Sequence, residues 1–329
     1  MVDKEYKAYR VIMIIELLIL YYVTILIASV ILDLILGEPK GIFINIHPVV
    51  LCGKIAYKLF KSGGKHYGVF LWFASVVPIA IIYYLIPRVL IVINIVIGII
   101  VYAYFLKLTF SIKLMRDYAK KIMRSIESGD LNNARTFTQE IVRRNVWELD
   151  AAHLMSAVIE SLAESLVDGL LSPLFYFALF GLPGALLQRL SNTMDSMVGY
   201  RGWPYEDVGW FSAKIDTILN YIPARLSSIV ILVASALIGL DWRNSIRIAV
   251  REHDNVRSIN SGWPMASFAG ALGTMLEKVG AYRINSNMPG PDIIKLKSAL
   301  RLFDVSVIIV LVIILIFLIV RVLLVSLFI

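Results

Sequence analysis

The sequence has little charge and almost no thiol chemistry. Of its 329 residues only 17% are charged and one is cysteine. Cys52 alone cannot close an intrachain disulfide, and four scattered histidines supply no Cys/His metal box, so a disulfide scaffold, a zinc finger and dithiol redox chemistry are excluded. There is no Gly-x-x-x-x-Gly-Lys-Ser/Thr loop, so a nucleotide would have to be held by other means. No repeat of fixed period and no low-complexity linker divides the chain, and one domain over 1–329 is expected.

Apolar sequence fills the space that charge leaves. Hydrophobic residues make up 59% of the chain, against roughly half in soluble domains. Several runs reach the roughly 20 residues that cross about 30 Å of hydrocarbon. Val11–Leu32, Gly68–Ile86, Val89–Leu108 and Val305–Phe328 read as spans, the second and third joined by a tight turn at Pro87 and Arg88. The first lacks a small-residue cleavage site and reads as an anchor. Leu154–Phe180 carries three acids and Leu226–Leu240 is short, so both read as partial spans, the former folding back at Pro173, Gly181 and Pro183. The expected class is an all-α, polytopic integral membrane helical bundle with re-entrant or partial helices.

The net charge of +8 follows the positive-inside bias and does not point to nucleic acid, because the basic residues sit in loops between apolar runs. The amphipathic segment Lys113–Arg144 is expected on the cytoplasmic side, and the loop Asp33–Tyr67 with it. Counting spans back from that loop puts the N-terminus outside, whereas Lys4, Lys7 and Arg10 argue for the cytoplasmic side.

Glu160, Glu164 and Asp168 recur every four residues on an apolar helix, which stacks three carboxylates on one face within reach of one cation. Ionisable groups in such a setting mark a functional site unless the helix lies at an interface with its acids solvated. Between Arg189 and Arg225 a second cluster gathers Asn192, Asp195, Tyr200, Arg201, Lys214, Asp216 and Asn220. Carboxylate and amide oxygens without thiol or imidazole suit Mg²⁺, and Arg201 and Arg225 can grip phosphate or carboxylate bidentately. His47-Pro48 alone reads as a loop turn. Asn260-Ser261-Gly262-Trp263-Pro264 is turn chemistry able to present N–H groups to an anion.

Together these residues resemble the CbiB/CobD family of adenosylcobinamide-phosphate synthases. The likeness rests on Leu32-Asp33 with Gly37-Glu38-Pro39 and His47-Pro48-Val49, on Glu160 to Glu164 with Asp168-Gly169, and on Asn192 to Arg201. It continues through Gly209-Trp210, Asp216, Asn220, Pro223-Ala224-Arg225, Asn260 to Pro264 and Ala269 to Gly273. Asn145, Ser165, Thr217 and Val256-Arg257 depart from the family pattern, which has Asp, Asn, Asp and His-Pro there, and each removes an oxygen ligand or hydrogen-bonding group. The resemblance implies ATP- and Mg²⁺-dependent amide formation between adenosylcobyric acid and aminopropanol phosphate or ethanolamine phosphate, in the cell membrane with the active site facing the cytoplasm. It implies catalytic roles for Glu160, Glu164, Asp195 and Asp216, and a metal set of Glu160, Glu164, Asp168 and Asp195. Substrate and phosphate contacts would come from His47, Asn192, Tyr200, Arg201, Lys214, Asn220, Arg225 and Asn260. Other enzymes of cobalamin biosynthesis are the partners it suggests. Read without the resemblance, the acids would also serve a transporter's cation path or an Mg²⁺-dependent prenyl transferase, and the departures would suit a non-catalytic relative.

Overall fold

A computed structural model describes the backbone of residues 2–326 and the side chains of 13–325. The side chains of Lys4, Lys7 and Arg10, and Phe328 at the end of the last predicted span, lie outside the described residues. The architecture is helical, as expected, with one two-stranded hairpin among the described residues. Helices α1 (Val2–Leu36), α3 (Lys65–Ile93) and α10 (Glu206–Leu237) are long and apolar enough to cross a bilayer. So are α13 (Ile293–Ser326) and the continuous rod formed by α7 (Ala151–Leu166), a π turn and α8 (Ser172–Phe180). The chain is a multi-pass membrane protein.

Three expectations about the spans need correction. The turn predicted at Pro87 and Arg88 is helix: α3 runs through both Pro78 and Pro87, which each cost one intrahelical bond without ending so apolar a segment. The break comes at Asn94, whose extended backbone stops α3 and whose side chain accepts from Val96 N at 3.0 Å and Ile97 N at 3.1 Å, starting α4 (Ile95–Lys107). With 13 residues, α4 is about 20 Å long and falls short of a full span. Leu154–Phe180 does not fold back at Pro173; the rod continues to Phe180, and the helix breaks at Gly181, whose φ of +71° suits glycine. The predicted half-span Leu226–Leu240 is the second part of α10.

The chain clusters into two compact units. The first runs to Phe110 and takes in Pro173–Ala213 and the chain from Leu311 on. In it α1 and α3 pack on α4, while α2 (Pro48–Leu59) and α9 (Leu182–Val198) pack on α3. The second comprises Ser111–Ser172 and Lys214–Val310. Here α5 (Lys113–Glu127) and α6 (Leu131–Gln139) lie on α7, and the hairpin of β1 (Leu276–Lys278) and β2 (Tyr282–Ile284) packs on α7 through β1. α12 (Gly262–Leu272) packs on both α7 and α11 (Trp242–Glu252). The core of α7 is Leu154, Ala157, Val158, Ile159, Leu162, Ala163 and Leu166, all fully buried, so its acids can leave the packed face only along one stripe.

Candidate active site

In the second unit the stripe carries Glu160, Glu164 and Asp168. Asp150 starts α7, its carboxylate accepting from His153 N at 2.9 Å, and fixes the helix phase that aims the acids. Glu160, 6% exposed, is held by three donors. Ser156 Oγ donates to Oε1 at 2.8 Å, Tyr282 OH donates to Oε2 at 2.8 Å, and Arg144 Nη2 lies 3.3 Å from Oε1 and 3.2 Å from Oε2. Burial and the neighbouring carboxylates push the Tyr282 hydroxyl far above its ordinary range, so it stays a donor. Ser156 also accepts from Glu277 N at 2.8 Å, which ties the strand to the helix. Glu164, one turn on and partly exposed, has Ser261 as a polar neighbour and Lys278 and Arg144 as nearby cations. Arg144 Nε and Nη1 are buried without a hydrogen-bond partner, two strong donors beside two carboxylates.

Nearby on α10, Asn220 Nδ2 donates to Asp216 Oδ1 at 2.9 Å. Arg225 lies 3.5 Å over the Tyr221 ring and donates to Tyr221 O, Asn260 Oδ1 and Ile259 O. Those three bonds leave two of the five guanidinium donors. Asn260 completes a clasp by donating to Thr217 O at 2.9 Å. Lys214 is exposed.

The first unit holds the remaining predicted residues. Asn192 and Asp195 are half-buried on α9, Tyr200 donates to Ser196 O at 3.1 Å, and Arg201 is exposed. His47 caps α2, its Nδ1 accepting from Val49 N at 3.2 Å, while its Nε2 lies 3.4 Å from Glu38 Oε2. Beside it stands a group that the sequence reading did not single out. Lys107, with no exposed surface, places Nζ 3.5 Å from Glu38 Oε2 and 3.8 Å from Asp33 Oδ1.

A family profile described as CobD/Cbib protein matches residues 26–312. The chain belongs to the CobD/CbiB family. Among relatives, the probable cobalamin biosynthesis protein CobD of Methanothermobacter thermautotrophicus is 36% identical over 289 residues, covering 87% of this chain and 95% of that one. The probable cobalamin biosynthesis protein CobD of Thermoplasma acidophilum is 36% identical over 293 residues, 87% and 93% of the two chains. The cobalamin biosynthesis protein CobD of Dehalococcoides mccartyi is 38% identical over 273 residues, 80% and 87%. No solved structure matches.

For this CobD/CbiB chain the fit to Mg²⁺ is selective. Among the described residues no three His, Cys, Asp or Glu side chains converge as a ready-made cation cage. Both oxygens of Glu160 are engaged, which makes it the counter-ion of Arg144. Glu164 and Asp168 are partly exposed and successive along the stripe. They suit an ion that takes one or two protein carboxylates alongside substrate phosphates. Arg144, Tyr282 and Lys278 were missed as site residues. Only the short alternating runs flanking Gly280 hinted at the hairpin that brings the last two to α7.

Proposed function

We propose that this protein is an adenosylcobinamide-phosphate synthase of cobalamin biosynthesis, joining a carboxyl of adenosylcobyric acid to the amine of aminopropanol phosphate or ethanolamine phosphate at the expense of ATP. The observation that carries the reading is Arg144, its buried donors unengaged beside two carboxylates of different character. The family and the cobalamin names of its relatives supply the substrate class.

In this reading the corrinoid carboxylate attacks the γ-phosphorus of ATP and ADP leaves. The amine nitrogen then attacks the acyl phosphate carbon, and inorganic phosphate departs with the C–O bond's electrons. Arg144 holds the carbonyl or phosphoryl oxygens on which charge grows, kept in place by Glu160, which Tyr282 and Ser156 fix in turn. Glu164, partly exposed, takes the proton from the attacking amine. Mg²⁺, held by Glu164 or Asp168, would offset phosphate charge when bound. Lys214 and the two remaining donors of Arg225 bind substrate phosphates in the second unit, with Asn220 and Asn260 as polar contacts; in the first unit Arg201 is a phosphate contact, with His47, Asn192 and Tyr200 as polar contacts. Asp216 is a further proton acceptor in the second unit, and Asp195 is one in the first.

Purified protein in detergent, supplied with adenosylcobyric acid, ATP, Mg²⁺ and either amine, will release one ADP and one phosphate per amide formed. Absence of amide with both amines from protein that remains folded overturns the assignment.

Cytoplasmic ATP requires the segment Asn192–Arg225 to face the cytoplasm. Cys52 is buried and its thiol pushed up to about 12 by that burial, so it is a quiet background that Cys52→Ala removes altogether. In that background Glu206→Cys will resist an impermeant thiol reagent in intact cells and react after permeabilisation; reaction in intact cells would place the segment outside.

A further inference from the structure

Helix α11 has no part in the site above, and its outer surface is divided lengthwise by chemistry. Trp242, Ile246 and Val250 are 41%, 48% and 60% exposed. Recurring every four residues, they form one apolar stripe. Arg243, Arg247 and Arg251, each one position later, form a second stripe about 100° around the helix. All three arginines are exposed, and none is paired with a carboxylate among the described residues; Arg243 lies 5.1 Å over the Trp242 ring.

The helix cannot turn this surface inward. Asp241 caps its start, accepting from Asn244 N at 2.8 Å. The inner face is fastened to α12 by Ser245 Oγ donating to Ser267 O at 2.9 Å and Asn244 Nδ2 donating to Gly270 O at 2.9 Å. The approach is so close that a Cβ on Gly270 would lie 2.5 Å from Asn244 O.

We infer that α11 lies flat in the headgroup region of the bilayer, its apolar stripe in the acyl boundary and its arginines on anionic phospholipid phosphates. Several features select this occupant. The helix begins shortly after α10, a candidate span, ends at Leu237. A tryptophan beside arginine suits the interface, and an amphipathic helix there buries its apolar side only roughly 5–10 Å deep. A second copy docked isologously would oppose arginine stripe to arginine stripe. A nucleic acid would leave the apolar stripe in water.

The test uses the full chain with Cys52→Ala and Ile246→Cys, labelled with an environment-sensitive fluorophore, in nanodiscs of phosphatidylcholine alone or mixed with phosphatidylglycerol. The phosphatidylglycerol discs will blue-shift the label, expose it to brominated acyl chains and lower acrylamide quenching several-fold. Molar salt or Arg243→Gln/Arg247→Gln/Arg251→Gln will reverse these changes, and lysine at the three positions will restore them. Melting temperature checks that each variant folds, which exposed positions make the expected result. Equal quenching in both lipids overturns the proposal. So does protection that ignores the arginines, or protection in detergent that grows with protein concentration, which would assign the face to a second copy.

Discussion

In the first unit a lysine with no exposed surface faces two carboxylates at 3.5 and 3.8 Å, beyond good hydrogen-bond length. In the second, Glu160, hardly more exposed, is met by donors at 2.8 to 3.3 Å, and its arginine partner still has donors in hand. The two arrangements balance charge alike but differ in what remains. Lys107 is a compact point charge whose attraction to Asp33 and Glu38 accounts for its position, so the network reads as structural. Arg144 is a planar fork of which Glu160 engages one arm, so part of its hydrogen-bonding capacity is open to a third party. Both networks keep buried donors without a hydrogen bond, Lys107 Nζ in the first unit and Arg144 Nε and Nη1 in the second. The second is the open one in that a planar fork presents two directed N–H groups beside a partly exposed carboxylate, whereas the first gathers about one point charge with no exposed surface.

The largest expected effect tests the lysine network. Lys107→Met leaves the buried Asp33 carboxylate without its cation and should destabilise the protein by about 3–5 kcal/mol, read as a lowered apparent melting temperature in detergent. Asp33→Asn added to Lys107→Met should recover much of that loss, since removing both charges is far cheaper than stranding one. An unchanged melting temperature in the single variant would show that charge does not hold this region.

A second contrast lies within the open network. Glu164→Gln should reduce amide formation by roughly 10²–10⁴-fold, the range for loss of a general base, while melting moves little because, unlike Glu160, that side chain is not held by a set of close donors. Glu160→Gln should reverse the pattern. Losing a charge-assisted bond to Arg144 costs about 1.5–3 kcal/mol of stability, and activity falls through misplacement of Arg144, seen mainly in the Michaelis constant. Equal rate losses with equal melting in the two variants would merge the roles that the geometry separates.

How far these features were legible in the sequence follows the range of the interactions. Spans show because apolar length is a local property, and Glu160 and Glu164 show because a helix repeats every 3.6 residues. Pro87 misled because a proline signals a turn in water, whereas an apolar α3 continues through it. Helix α9 was hidden by Gln188, Arg189, Asn192 and Asp195, which look like loop chemistry until the helix is seen packed on α2 and α3. The partners of Glu160 come from 16 and 122 residues away in Arg144 and Tyr282, separations that no periodicity encodes. Lys107 was equally invisible, because a lysine at the end of an apolar run ordinarily snorkels to water.

The smallest effect isolates the cap that aims the open network. Asp150 is exposed, and the backbone N–H of His153 at 2.9 Å, with its ring Nδ1 at 2.8 Å, holds the carboxyl below the usual carboxylate range. A folded-state value depressed below the unfolded value of about 3.9 means that the cap's contribution is fully present above that pH and is lost as pH falls through the folded value. Asp150→Ala should therefore cost about 1 kcal/mol at neutral pH, and its melting curve should converge on that of the parent in acid, below about pH 4. Asp150→Asn is the sharper probe. Asparagine caps as well as aspartate but does not titrate, so that variant should match the parent at neutral pH and outlast it in acid. His47, which caps α2 in the first unit, also faces Glu38 at 3.4 Å. His47→Ala should thus exceed the loss at Asp150, and equal losses would detach His47 from the Lys107 network. Amide formation at neutral pH should be indifferent to Asp150→Asn, because the acids it aims keep their helix phase.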